Sequence, residues 1–239
     1  MAIISNQATL RTSVANWLNR SDFSNDQLDQ FIEMGEAMIY ETLRVPPLER
    51  KATFSIASTD SSINIPTGYL EVIELRKLNK GECSVNASVN TTRELCVADG
   101  GLWTDSDKQD DIVLDRVDAK ALHNNNLPNS FSRELDTFLI TDEDGKQLAS
   151  GEYNLKYYYA EPPIGTIISG VEVDPYILQE YELILYGALA FGFAFLHDDE
   201  AATKYSTLVE AKIKTLNEKA KAAERKSGQY TQSFKSNLI

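Results

Sequence analysis

Apolar residues recur with helical spacing at both ends of this chain and in short, alternating runs between them. Thr9 to Leu18 places Leu10, Val14, Trp17 and Leu18 on one face, which predicts a short helix. Ser24-Asn25-Asp26 offers caps for a second helix reaching about Leu43, with Leu28, Phe31, Ile32, Met38, Ile39 and Leu43 as its apolar positions. Arg44-Val45-Pro46-Pro47 ends it, because proline donates no amide and disfavours helix at the residue before it. At the other end, Tyr176 to Leu196 predicts a helix with almost no polar face, followed by the turn His197-Asp198-Asp199-Glu200. A Lys-rich amphipathic helix, Ala201 to about Arg225, comes next, and then a polar tail, Lys226 to Ile239.

The middle of the chain predicts strands. Ala52–Ile56 and Ser62–Ile65 flank a polar turn and pattern as a hairpin, and Pro66-Thr67-Gly68 punctuates them before Tyr69 to Leu78. Lys80 to Asp111, rich in Asn, Thr, Ser, Asp and Gly, reads as an excursion from the domain body. Ile112-Val113-Leu114 and a brief helical stretch, Val117 to His123, follow. The strands Thr137–Thr141 and Tyr153–Tyr159 are joined by Asp142-Glu143-Asp144-Gly145, which reads as a hairpin turn. The second of them sets Tyr153, Leu155, Tyr157 and Tyr159 on one side, as a half-buried strand does. The expected fold is α+β: a helical bundle of N- and C-terminal helices, short strands and hairpins between, and a loop insertion. One domain, 1–225 with an insertion at 80–111, would carry a separate tail at 226–239.

Composition is that of a folded soluble protein, with 42% hydrophobic and 25% charged residues in 239. No signal peptide is expected from Met1-Ala2-Ile3-Ile4-Ser5-Asn6, which lacks a basic start and a long apolar run. The apolar run Leu183–Leu196 is shorter than the ~20 residues a membrane span needs, so it reads as a core helix. Charge is uneven. From Ala201 onward there are eight basic and three acidic residues, a net of +5, leaving −18 on the first 200. An acidic body argues against wrapping nucleic acid, since affinity for phosphates comes from neutralising them.

Candidate chemistry is sparse. His197-Asp198-Asp199-Glu200 has metal-ligand residue types, but its place between two helices favours Asp198 or Asp199 as a helix cap. Asp142-Glu143-Asp144-Gly145 lacks the spaced ligands of a calcium loop. Asn86-Ala87-Ser88 and Asn90-Thr91-Thr92 match the glycosylation pattern by chance in an Asn/Ser/Thr-rich loop. Cys83 and Cys96 span a loop that a disulfide could close, depending on the redox compartment. Neither His123 nor His197 stands beside a nucleophile, and phosphate-loop, nucleophile-elbow and paired-cysteine motifs are missing. The chain reads as a non-enzyme that needs no cofactor and no metal.

Taken in order, several of these stretches resemble the head-to-tail adaptor proteins of tailed bacteriophages. The resemblance runs through Leu10-Arg11, Val14-Ala15-Asn16-Trp17-Leu18-Asn19-Arg20, Phe31 to Ile39, Leu43-Arg44-Val45, Glu49 and Ala52-Thr53. It continues in Ile65-Pro66-Thr67-Gly68-Tyr69-Leu70-Glu71, Tyr153 to Pro163, Tyr186-Gly187-Ala188-Leu189 and Leu196-His197-Asp198-Asp199 before a long helix. It covers most of the chain except Lys80–Asp111 and the last dozen residues. It implies a virion protein of the neck, made in the host bacterial cytoplasm, forming a ring of typically twelve copies beneath the portal. The portal protein would bind above, a tail or nozzle protein below, and genomic DNA would pass without specific binding; no membrane is involved. It also implies that the C-terminal helix or tail docks on portal subunits, for which Arg225, Lys226, Tyr230, Phe234, Leu238 and Ile239 are the candidate contacts.

Two other classes compete. A tail-associated cell-wall hydrolase would need two carboxylates flanking a sugar bond, one with a raised pKa. A host-surface binding module would use the Cys83–Cys96 loop as its tip.

Overall fold

Both N-terminal helices form where spacing and caps predict them. The computed structural model describes residues 4–56, 62–78, 82–83, 100, 103–104, 111–125, 127–142, 144–146, 151–168, 171–172 and 175–235. Its first elements are α1 (Gln7–Leu18), α2 (Asn25–Thr42), a 3-10 turn at Pro46–Leu48, β1 (Glu49–Ile56), β2 (Ser62–Asn64) and β3 (Tyr69–Lys77). Then come β4 (Glu82–Cys83), β5 (Trp103–Thr104), β6 (Ile112–Val113), β7 (Asp115–Arg116) and α3 (Ala119–Asn125). The remainder is β8 (Ser130–Glu134), β9 (Thr137–Ile140), β10 (Gly151–Tyr159), β11 (Ile167–Ile168), β12 (Val171–Glu172), α4 (Tyr176–Gln179), α5 (Tyr181–Phe195) and α6 (Asp199–Lys235). This is the expected α+β class, divided into two compact units: residues 1–49 with 158–239, and residues 50–157.

The first unit is the helical one. Asn6 caps α1 reciprocally with Thr9, and Ser24 caps α2 reciprocally with Gln27, so each helix start satisfies otherwise orphaned amides. Arg11 forks onto the Asp29 carboxylate, and Gln7 donates to the same group at 3.1 Å, tying α1 to α2. Leu10, Val14 and Leu18 are buried as predicted, whereas Trp17 is left 42% exposed. α2 ends on Leu43 and Val45, both buried, with Arg44 donating to the carbonyls of Tyr40, Glu41 and Leu43. A cation there offsets the negative end of the helix dipole.

α2 and α5 cross in near-backbone contact. A Cβ added to Gly35 would sit 2.8 Å from Ala188 N and 2.8 Å from Gly187 C, and one on Gly187 would sit 3.1 Å from Gly35 Cα. Leu183, Ile184, Leu189, Leu28, Ile32 and Ile39 close the core around this crossing. One carboxyl lies inside: Glu36 is 5% exposed and accepts the Ile164 amide at 2.8 Å. Burial pushes its pKa up to about 7; the Ile164 amide opposes that shift, and the charge of Glu33 adds to it.

The sequence predicts one helix from Tyr176 to Leu196, but it is broken at Glu180 (φ −91°, ψ 53°), with α5 restarting through the Leu183 amide on the Glu180 carbonyl at 2.8 Å. α5 ends at His197 in a left-handed conformation (φ 59°), with the Asp198 amide bonded back to the Phe193 carbonyl. α6 also runs past the predicted boundary at Arg225, through Lys235. Extending a nucleated helix adds one hydrogen bond per residue fixed, and Gly228 is the one strong breaker in that stretch.

The second unit holds two four-stranded sheets, ordered β1-β10-β3-β6 and β2-β9-β8-β7. Here two predicted hairpins fail. β1 and β2 are neighbours in sequence but lie in different sheets, as do β9 and β10. β2 instead pairs antiparallel with β9, setting Ile63 opposite Phe138, both buried. The Asp142–Lys146 segment is therefore a turn between sheets, closed on the Asp142 carboxylate, which accepts from the Asp144 and Lys146 amides. β8 was not predicted; it forms the true hairpin with β9 and pairs parallel with β7. β10 buries Tyr153, Leu155 and Tyr157 as the alternation requires. The turn before β3 closes through the Tyr69 amide on the Pro66 carbonyl at 3.2 Å and needs the positive φ (76°) of Gly68.

Candidate docking surface

α6 is held to the bundle through its first half. Asp198 accepts the Ala201 amide at 3.0 Å, so the His197–Glu200 segment is a helix stop and start, as the capping alternative requires. Val209 and Ile213 are buried, each worth about 1.5–3 kcal/mol on the usual area scale. Lys212 donates to Glu182 at 3.0 Å and lies 3.7 Å from Glu180, and these partners raise its pKa, the Glu182 hydrogen bond foremost. The pair is part-exposed, so its net contribution is roughly 0.5 kcal/mol.

A stronger fastening lies one turn on. Asn217 accepts the Arg44 amide at 2.8 Å and donates to the Thr42 carbonyl at 3.0 Å. One side-chain amide thus completes both a donor and an acceptor at the frayed end of α2. Asn217→Ala removes both bonds and is expected to destabilise the chain by about 1–3 kcal/mol, read as a lower urea midpoint with unchanged slope.

Among the described residues, Asn217 is the last position of α6 with a hydrogen bond to another element. Lys219, Lys221, Ala222 and Ala223 beyond it are exposed. Of the residues predicted to contact the portal, Arg225, Lys226, Tyr230 and Phe234 lie on this helical extension, while Leu238 and Ile239 lie outside the described residues. Of the cysteine pair, Cys83 falls on β4 and Cys96 lies outside the described residues.

The helical unit also presents aromatic surface. Trp17 meets Tyr186 and Tyr205 edge-on, at 6.4 and 6.5 Å between ring centres, and Phe193 stacks on Tyr205 at 5.4 Å. Phe195, 55% exposed, joins Phe23 and Phe31 in a second cluster. Partly exposed aromatics are the residue type that anchors protein interfaces. No described helix is long and apolar enough to cross a membrane, and no group of three or more His, Cys, Asp or Glu among the described residues is placed to hold a metal ion. The surface offers fixed apolar anchors and charges, which suits binding.

Sequence reasoning missed the residues that fasten α6. Asn217 looks like any polar position on an amphipathic helix, and only its 173-residue separation from Arg44 reveals the clamp. Glu36, Gly35 and Gly187 all sit inside the stretches that carry the adaptor resemblance, but their packing roles need coordinates.

Compared with known families, the chain matches one described as SU10 adaptor protein, over residues 5–232. Comparison with curated individual proteins gives no match.

Proposed function

The chain belongs to the SU10 adaptor protein family, and from that premise we propose that it is the structural head-to-tail adaptor of a tailed phage virion. In this reading copies form a ring under the portal, twelve of them as the resemblance implies; the ring extends the DNA channel and receives the tail or nozzle protein below. The observation that carries it is the family match over nearly the whole chain, α6 extension included. The extension and the residues after it, 226–239, are the portal-docking segment, with Tyr230, Phe234, Leu238 and Ile239 as apolar anchors and Arg225 and Lys226 as charges. The −18 on the first 200 residues suits a channel wall that must let phosphates slide.

The test is the mass and ring symmetry of the protein, alone and mixed with the portal protein of the same genome. A stoichiometric ring on the portal is the expected result, and a persistent monomer that never binds portal would overturn the reading. Deleting Gln229–Ile239 is expected to abolish portal binding while the helical unit keeps its melting temperature, because Val209, Ile213 and Asn217 all lie upstream. Normal binding by the truncated chain would remove the docking role from this segment.

A further inference from the structure

Two helices of the helical unit turn charged stripes outward, and the stripes are opposite in sign. On α2, Glu33, Met34, Ala37 and Glu41 are all exposed, Met34 by 49%. Helical geometry gathers them within about 100° of the circumference, opposite the buried Leu28, Gly35 and Ile39. Along the axis the order is carboxylate, apolar pair, carboxylate. On α6, Lys204, Leu208, Ala211 and Lys214 are likewise exposed, Leu208 by 39%. They fall within about 120°, opposite Val209 and Ile213, which the helix buries. Here the order is ammonium, apolar pair, ammonium.

A single exposed apolar residue needs no partner; what selects Met34 and Leu208 is the charge frame around each. The α2 frame is not there to steady its own helix. Glu41 stands in the last turn of α2, where the dipole favours a cation over a carboxylate. The two frames also agree in length. Glu33 to Glu41 spans about 12 Å and Lys204 to Lys214 about 15 Å at 1.5 Å per residue, and the flexible lysine stems take up the difference. Both stripes are exposed on one and the same unit, so neither covers the other within a single chain.

We infer that the α2 stripe of one copy packs on the α6 stripe of a neighbouring copy, Met34 and Ala37 against Leu208 and Ala211, with Glu33 and Glu41 against Lys204 and Lys214. The contact joins different surfaces of identical chains, so it is head-to-tail and closes into a ring when the rotation between copies allows. It rests on the ring reading above and names one of the ring's subunit contacts. It ends before Asn217, which leaves the α6 extension for the portal.

Charge reversal tests both sides of the contact. Glu33→Lys/Glu41→Lys and Lys204→Glu/Lys214→Glu each set like charges face to face, and each protein alone is expected to associate roughly tenfold or more weakly than the parent. Mixed, the two proteins present opposite signs again. They are expected to recover parental association in rings that hold equal numbers of both, counted by native mass spectrometry. All four positions are exposed, so both variants should keep the parent's Tm. The single change Ala37→Lys, a cation at the centre of the α2 stripe, is expected to weaken association too. Ring assembly is read alone or on the portal protein, whichever the parent requires. Parental association by any of these variants alone, or no recovery when the two reversed proteins are mixed, would overturn the inference and leave the ring reading standing. A parent protein that forms no ring with or without portal would instead overturn both.

Discussion

Gly35→Ala is expected to lower the stability of this protein by about 2 kcal/mol or more, although alanine is the better helix former. Propensity alone favours alanine by about 1 kcal/mol. The new methyl, however, would lie 2.8 Å from Ala188 N and from Gly187 C, which are backbone atoms and cannot rotate away. The α2–α5 crossing must open, and overpacking of that kind costs about 1–3 kcal/mol and sometimes more. Three glycines give a graded test. Gly187→Ala meets Gly35 Cα at 3.1 Å and should be milder; Gly192→Ala meets the Leu18 side chain at 2.8 Å, which has rotamers to spare. At about 2–4 °C per kcal/mol for a chain of this size, Gly35→Ala should lower Tm by roughly 4–8 °C. Thermal unfolding of the three variants checks the order, and a Gly35→Ala protein as stable as the parent would show that the helices separate at no cost.

The second large effect is a pH dependence located in Glu36. Its folded pKa is raised to about 7 from an ordinary 4.5, chiefly by burial. The folded state therefore binds a proton that the unfolded state has released between those values. The stability due to this group is fully present below the unfolded pKa and is lost as pH rises through the folded one. The full shift corresponds to about 3 kcal/mol, an upper figure for the loss between acid and about pH 8. Glu36→Gln keeps an acceptor for the Ile164 amide and carries no charge at either end. It should raise the urea midpoint at about pH 8 by an amount worth about 1–3 kcal/mol and leave it nearly unchanged at about pH 4, below the unfolded pKa. The quantity that reads Glu36 is the difference between variant and parent at each pH. Equal pH slopes for the two proteins would place the proton elsewhere.

The helices were legible because their information is local. Ser24 and Asp198 announce starts, Pro46 and His197 mark stops, and the apolar spacing picks the buried face. The strand partners were not legible, because sequence neighbours say little about which sheet a strand joins. Ile63 is set by Phe138, 75 positions away, and that pairing outweighs the short turn linking β1 to β2. β8 was hidden for a different reason. Ser130 and Ser132 point inward and are buried, with Ser130 bonded to the Pro128 carbonyl and to Thr141, so a core strand reads as polar loop. The break at Glu180 was hidden because apolar residues continue on both sides of it. For the proposed docking segment, the sequence supplies only the expectation that residues 225–239 reach a partner, while the Asn217 clamp that fastens the first half of α6 depended on contacts far along the chain.

That division gives α6 the mechanics of a lever. Its fulcrum is the Lys212–Asn217 region, and the 18 residues from Glu218 to Lys235 extend about 27 Å past it at 1.5 Å per residue. A tilt of about 10° at the fulcrum sweeps the far end through about 5 Å, nearly one helical turn. Small adjustments where α6 leaves the bundle therefore translate into large changes of reach at its tip, which on the proposed docking role would let identical chains meet a partner whose spacing differs from their own.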